Sequence, residues 1–407
     1  MLDIAILGHG VVGSGVAEIL KLGQIKDLEE IRVKRILDIL DFKNVSYSEL
    51  FTKNFEDILK DEEIKIVVET IGGLNPSFEY VKSLLENKKS VVTSNKELVC
   101  KKGQQLLEIA KQNQVSFLFE AAVGGGMPII WPILKCFTAN KIEKVEAILN
   151  GTTNFILSKM CEESLEFDSA LKLAQNLGYA EKDPTDDLIG TDCKRKIAII
   201  CSLILKKNIN YEKIHTKGLQ NISSLDISFA KKKGYLVKLI SKIDFLKDDK
   251  INIMVFPAFV SSKNRLFFVE GVLNGVLIKG NYVGDVFFSG AGAGKFPTAT
   301  AVLADVAEIK NSNLKNISPV LKDSDDSSIL NYKEAFFKFY FRFRVKDLKK
   351  AKEFILKFYK SCVIIFQSEE EIVFKTGFMS QLELDSLEKY FLENGIEQKA
   401  KFRILED

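Results

Sequence analysis

Histidine is almost missing from this chain: 407 residues contain two, His9 and His215. His9 sits inside a glycine loop, so a Ser-His-Asp triad or a multi-histidine metal site is nearly excluded. If the chain is an enzyme, its proton transfers fall to lysine, aspartate or glutamate. The six cysteines are scattered and form no CxxC pair. That favours reduced thiols in a cytoplasmic protein over a disulfide framework or a zinc site. No apolar run reaches the length of a membrane span. The first residues carry neither a basic n-region nor a cleavage-like site. Charge of one sign is lacking too: 58 basic residues face 55 acidic ones with no polybasic tract. Nucleic acid and membrane are accordingly not expected as partners. The length suggests two or three domains, and a hydrophobic content of 46% suffices for ordinary buried cores.

The densest chemistry lies between Gly178 and Lys196. Five acidic residues (Glu181, Asp183, Asp186, Asp187, Asp192) and four basic ones share this stretch. From Thr191 onward the pattern is helical. At about 100° per residue, Asp192, Lys196, Ile199 and Leu203 fall on one stripe and Lys194 on the opposite side. A carboxylate and an ammonium thus continue an apolar face toward the interior. Two readings stand side by side. One is an ion pair that supports the helix. The other is a functional pair, since charges aimed inward are costly unless they are used.

The chain opens with a short apolar strand over 2–7, then Gly8-His9-Gly10-Val11-Val12-Gly13 and a helical pattern. Strand, glycine-rich turn and helix make the context of a dinucleotide fingerprint. Gly8 and Gly10 permit a tight turn and close approach of a pyrophosphate, and Gly13 lets the helix pack on the strand. The fingerprint calls for an acidic residue at the end of the next strand. Asp38 supplies it, with Asp41 as competitor. Further strands are expected over 64–70 and 90–94, with helices over 77–88 and 103–113 and a strand over 115–123. This is an α/β doubly wound parallel sheet. Lys96 follows a strand end, where such sheets bind ligands. Glu120 and the run Gly124-Gly125-Gly126 read either as a monovalent-cation site of carbonyl oxygens plus a carboxylate or as a strained turn.

Beyond residue 132 the character changes. A strand near 144–149 meets Asn150-Gly151-Thr152-Thr153-Asn154, which suits ligand hydrogen bonding or a plain N-capped turn. Helices are expected over 167–176 and over 226–247. A strand over 251–260 contains Pro257, implying an edge or bulge. Two more strands lead to a second glycine-rich loop, Gly290 to Gly294, and a helix over 298–310. Residues 311–331 read as a linker. The remainder reads βαββαβ, a ferredoxin-like split βαβ, whose first strand alternates apolar and basic residues as a half-exposed strand should.

Taken in order, GHGVVGSGV, VVTSNKELV, FEAAVGGGMPII, ILNGTTNFIL with LGYAEKDPTDDLIGTDCKRK, and GAGAGKFPTATAVLADV resemble the homoserine dehydrogenase family over roughly the first 310 residues. The C-terminal part resembles an ACT domain. The resemblance implies an NAD(P)-binding Rossmann domain over 1–131 with a return helix at 298–310, and a central α+β catalytic and dimerisation domain over 132–297. A linker over 311–331 and an ACT-like regulatory domain over 332–407 follow. It implies reversible, NAD(P)H-dependent reduction of L-aspartate 4-semialdehyde to L-homoserine, on the route to threonine, methionine and isoleucine. It makes Lys196 the general acid, with Asp192 beside it as a substrate ligand. Glu181 takes the substrate's amino group, and Lys96 stands at the nicotinamide and reaction centre. Gly8, Gly10, Val11, Val12, Gly13, Asp38, Gly178 and Gly294 match cofactor contacts. Glu120, Val123, Gly125 and Met127 match a sodium site. Asp38 favours NAD, while Lys34, Arg35 and Lys43 suit a 2′-phosphate. The expected assembly is a homodimer or higher homo-oligomer. An amino-acid effector is expected at the ACT-like domain, but Val345-Lys-Asp-Leu-Lys-Lys350 replaces the usual tight ligand loop, so threonine feedback is expected to be weak or absent. Two alternatives are another amino-acid-derived aldehyde as substrate, and a non-catalytic cofactor and amino-acid sensor.

Overall fold

The computed structural model describes residues 1–219, 222–323, 328–359 and 361–406. In chain order the first elements are β1 (Leu2–Leu7), α1 (Val11–Leu22), β2 (Ile31–Leu37), β3 (Phe51–Thr52), α2 (Glu56–Leu59), β4 (Ile64–Glu69), α3 (Ser77–Glu86), β5 (Ser90–Thr93), α4 (Lys96–Gln112), β6 (Phe117–Leu118), α5 (Ala121–Gly124) and α6 (Ile130–Lys135). There follow β7 (Ile142–Ile148), α7 (Gly151–Glu162), α8 (Phe167–Asn176), α9 (Thr185–Leu188), α10 (Thr191–Leu205), β8 (His215–Thr216), α11 (Ser224–Lys232), β9 (Tyr235–Phe245), β10 (Ile251–Ser261), β11 (Leu273–Gly280), β12 (Gly284–Ala291) and α12 (Lys295–Asn311). The chain ends with β13 (Phe336–Val345), α13 (Leu348–Phe358), β14 (Val363–Gln367), β15 (Glu371–Lys375), β16 (Met379–Ser380), α14 (Gln381–Glu393) and β17 (Ile396–Leu405). Two compact units emerge. One comprises Met1–Lys141, Arg195–Glu212 and Phe288–Asp325, the other Ile142–Lys194, Lys213–Phe287 and Asp326–Asp407.

In the first unit six parallel strands lie in the order β3-β2-β1-β4-β5-β6. This is the doubly wound arrangement whose ligands bind beyond the strands' carboxyl ends. Ile4, Ala5, Ile6 and Leu7 are fully buried, as are Ile66, Val67 and Val68, which is why these strands read as unbroken apolar runs. Helix α12 returns to this unit and packs Ala299, Val302, Val306 and Ile309 onto the sheet. The strand expected over 115–123 is shorter: only Phe117 and Leu118 pair, and Ala121–Gly124 turns helical. Small residues, Ala121, Ala122 and Gly124, permit that tight turn where an apolar run alone suggested extension.

The second unit holds a sheet running β12-β11-β7-β9-β10-β17-β13-β15-β14. The helix expected over 226–247 ends at Lys232. Gly234, with φ +77°, reverses the chain, and Tyr235–Phe245 is a strand buried in the sheet. A left-handed glycine is a common helix terminator, and the β-branched and aromatic residues after it favour extension. Pro257 does not sit on an edge strand. One flank of β10 pairs with β9 throughout, while the other pairs with β8 at Met254 and Val255 and with β17 from Ala258 to Val260. Pro257 falls between those two stretches.

Four of the five C-terminal strands take the order β17-β13-β15-β14 with antiparallel neighbours, the ferredoxin-like arrangement, and short β16 pairs the start of β13. Phe337, Phe339, Phe341 and Phe343 point into one core with Ala351, Ile355, Phe374 and Phe391. The opposite face is not half-exposed at its centre. Tyr340 is buried and the Arg342 side chain is 11% exposed, because both bond Asp226 of α11. Among the described residues no helix is long and apolar enough to cross a membrane.

Candidate active site

The glycine loop forms a cradle. Gly8 has φ +90°, and a side chain there would crowd the backbone of Thr70 and Ile71. A Cβ on Gly13 would stand 2.0 Å from the Gly8 carbonyl, so loop and helix meet at a distance only glycine allows. A Cβ on Gly10 would meet nothing within 4 Å. Gly10 also precedes α1 without a side-chain cap, leaving open space at a helix N-terminus. That is the setting a pyrophosphate needs. Val11 and Val12 begin the helix.

Asp38 stands at this loop. Its carboxylate accepts the backbone N–H of His9 at 2.7 Å and that of Leu40 at 2.9 Å. Asp41 is instead paired with Lys53 at 2.8 Å, so of the two candidates it is Asp38 that the glycine loop holds. Lys34 is held by Asp61 and Glu63. His9 is buried against Phe42 and Phe51, shares a hydrogen bond with the Tyr47 hydroxyl at 3.0 Å, and has its pKa lowered by that burial. Asp38, Phe42, Lys43 and Phe51 line a cavity beside the loop.

Lys96 is the first residue of α4, after the N-cap Asn95, whose side chain accepts from Leu98 N–H. The element that fixes this strand end is Glu69, unnoticed in the sequence. Its fully buried carboxylate accepts from Thr93 Oγ1 at 2.5 Å, Ile71 N–H at 2.9 Å, Gly72 N–H at 3.2 Å and Ser77 Oγ at 3.0 Å. It welds the turn after β4 to the end of β5. The available signal was a carboxylate closing an otherwise apolar strand.

Glu120 is 2% exposed, and its carboxylate accepts N–H groups of Ile129 at 2.6 Å, Ile130 at 2.9 Å and Trp131 at 2.7 Å. Burial raises its pKa against those three amides. The carboxylate is thus committed to the start of α6. Gly125 has φ +59°, and a Cβ on it would lie 2.3 Å from the Gly292 carbonyl, so the turn also requires glycine. Asp305 of α12 was also missed. It accepts Glu120 N–H at 2.8 Å and the Trp131 indole N–H at 2.7 Å, and burial pushes its pKa up to about 8. Gly294, at φ +124°, caps α12 after the second glycine-rich loop.

The stripe on α10 is buried as its periodicity required: Asp192 is 4% exposed, Lys196 8%, Ile199 4% and Leu203 2%. The Arg195 side chain is 14% exposed and lies 3.7 Å from Glu97. Asp192 accepts a hydrogen bond from Asn150 Nδ2 at 2.9 Å, and Asp187 accepts from the same nitrogen at 2.7 Å. Thr152 Oγ1 donates to the Tyr179 carbonyl at 2.7 Å, tying the start of α7 to the Gly178–Glu181 turn. Gly178 has φ +76°, and the Glu181 side chain is exposed. Behind this turn Asn154 donates to the carbonyls of Val269, Gly271 and Leu273, and buried Lys238 donates to Asn154 Oδ1 and Val269 O.

Comparison with known proteins bears on this arrangement. Two family models match, one described as homoserine dehydrogenase over residues 128–307 and one as its NAD-binding domain over residues 8–120. The homoserine dehydrogenase of a Synechocystis species is 39% identical over 337 residues, 81% of this chain and 76% of its own length. The crystal structure of a homoserine dehydrogenase from Thiobacillus denitrificans superimposes with a TM-score of 0.88 at 32% identity, covering 100% of this chain and 98% of that one. A hyperthermophilic archaeal homoserine dehydrogenase in complex with NADPH matches with a TM-score of 0.65 at 27% identity, covering 76% and 98%. The matched spans take in the glycine cradle, Lys96, the Asn150 turn and the Asp192–Lys196 face, and the chain belongs to the homoserine dehydrogenase family.

Proposed function

We propose that the chain performs the family's reaction, reversible reduction of L-aspartate 4-semialdehyde to L-homoserine, with Lys196 as general acid and base. The observation that carries this is a buried ammonium and a buried carboxylate one turn apart on α10, continuing an apolar face. The bound nicotinamide cofactor supplies hydride in the reducing direction. Arriving hydride builds negative charge on the aldehyde oxygen. The Lys196 ammonium stabilises that charge and hands over its proton. In the oxidising direction Lys196 takes the hydroxyl proton as base. Asp192 keeps the ammonium aimed and binds substrate. Glu181 pairs with the substrate's α-ammonium, and Lys96 acts at the nicotinamide and reaction centre.

Gly8, Gly10, Val11, Val12, Gly13, Gly178 and Gly294 are assigned to cofactor contacts. Asp38 is assigned to the ribose hydroxyls, which weighs toward NAD. Arg35 and Lys43 are the cations left for a 2′-phosphate. A monovalent cation is assigned to the backbone oxygens of Glu120, Val123, Gly125 and Met127. Residues 332–407 act as an ACT-like regulatory module with weak or absent response to threonine, and a homodimer forms through the central sheet. Steady-state homoserine oxidation with NAD and with NADP, with and without threonine, tests this reading. Turnover with NAD exceeding that with NADP, little changed by threonine, is the expected result. No oxidation with either cofactor contradicts it.

A further inference from the structure

We infer that Asn150 is a positioning residue for this reaction, holding Asp187 and Asp192 in the geometry that receives substrate. The inference rests on the assignment of Asp192 as a substrate ligand. Asn150 is 5% exposed. Its Oδ1 accepts the Thr153 N–H at 2.8 Å and the Thr153 hydroxyl at 2.9 Å. The backbone N–H, which can only donate, fixes which end of the amide is oxygen. The NH₂ end must then face the carboxylates, donating to Asp187 Oδ1 at 2.7 Å and Asp192 Oδ2 at 2.9 Å. A flipped amide would set oxygen against two carboxylates and NH₂ against an N–H, so only one orientation satisfies the site.

Two carboxylates sharing one neighbourhood repel each other unless a donor stands between them. Asn150 is that donor, and the N-terminus of α7, where its backbone sits, adds positive potential. The platform is stiff. A Cβ on Gly151 would stand 2.6 Å from the Val272 carbonyl, and Asn154 with Lys238 clamps the 269–273 turn from behind. Two residues after Asn150, Thr152 grips the Tyr179 carbonyl in the turn that carries Glu181. One helical turn therefore serves both segments assigned to substrate.

The competing reading is a plain helix cap, and chemistry separates the two. Serine and aspartate cap helices about as well as asparagine. Asn150→Ser keeps the cap and removes the NH₂ donor. Asn150→Asp keeps the cap and sets a third carboxylate against Asp187 and Asp192. Positioning predicts that both folded variants keep the wild-type NAD(P)H dissociation constant within error, while KM for the semialdehyde and for homoserine rises about 10–100-fold. Both lose some melting temperature to carboxylate repulsion, Asn150→Asp more than Asn150→Ser, so KM is read below the lower melting point and Asn150→Ser carries the test should Asn150→Asp fail to fold. Asp192→Asn is measured alongside. Unchanged KM in the Asn150 variants with raised KM in Asp192→Asn overturns the role of Asn150 only. Unchanged KM in all three overturns the substrate role of Asp192, and this inference with it.

Discussion

At the scale of single residues, the chain keeps several charges out of water, and they divide by what holds them. Lys238 is 1% exposed and meets two neutral oxygens rather than a carboxylate. Burial lowers its pKa to about 8, opposed weakly by Glu270, the Cys161 thiol and Glu162. The folded-state value lies below the unfolded one, so the penalty for holding the charged amine is complete below pH 8. It is relieved as pH climbs from there toward the ordinary lysine value of about 10.4. Melting temperatures of the wild type and Lys238→Met should therefore converge or cross in favour of the wild type over that window, and parallel curves would show that Lys238 does not titrate so. Glu181 is the opposite case, an exposed carboxylate that we propose meets the substrate's ammonium. Glu181→Gln should raise the semialdehyde KM with the cofactor dissociation constant unmoved, and a pure loss of cofactor affinity would remove it from substrate binding. The burial of Asp192 and Lys196 and the place of Asp38 at the glycine loop were legible because each sits at a fixed offset from a periodic or glycine-rich pattern. Glu69, Asp305 and Lys238 were not, since a lone charge in an apolar run does not say which distant amides or carbonyls will meet it.

Among elements, the clearest lesson is where local patterning loses to tertiary pairing. Residues 235–245 carry both helical spacing and strand-forming side chains. Gly234 and two flanking strands decide for extension. In β13, alternation predicted a wet face, yet Arg342 meets Asp226 at 2.8 Å and Tyr340 donates to the same carboxylate at 3.1 Å. Asp226 is fully buried on α11, so removing it strands a guanidinium left with Glu371 at 3.1 Å and the Ser223 hydroxyl at 3.4 Å. Asp226→Ala should lower unfolding free energy by about 3–5 kcal/mol in a urea titration, as breaking one half of a buried pair does. A loss near zero would mean that Glu371 and Ser223 suffice for Arg342.

For the whole molecule, topology followed from sequence where the chemistry is local and failed to follow where it is not. The alternation of strands and helices through residue 118 dictated the parallel sheet, and βαββαβ dictated the ferredoxin-like order of the last strands. Nothing in the patterning announced that β17 would join β10, making the C-terminal strands part of the same sheet as β7 and β9. Three register pairs, Ala258 with Arg403, Phe259 with Ile404 and Val260 with Leu405, make that junction. The chain's central claim remains one of chemistry: a buried lysine performs the proton transfer in a protein that has two histidines. Turnover of Lys196→Ala with aspartate semialdehyde, measured beside its NAD(P)H dissociation constant, tests this most directly. A fall of about 10²–10⁴-fold in kcat with cofactor binding intact is the predicted result, and unchanged turnover would contradict it.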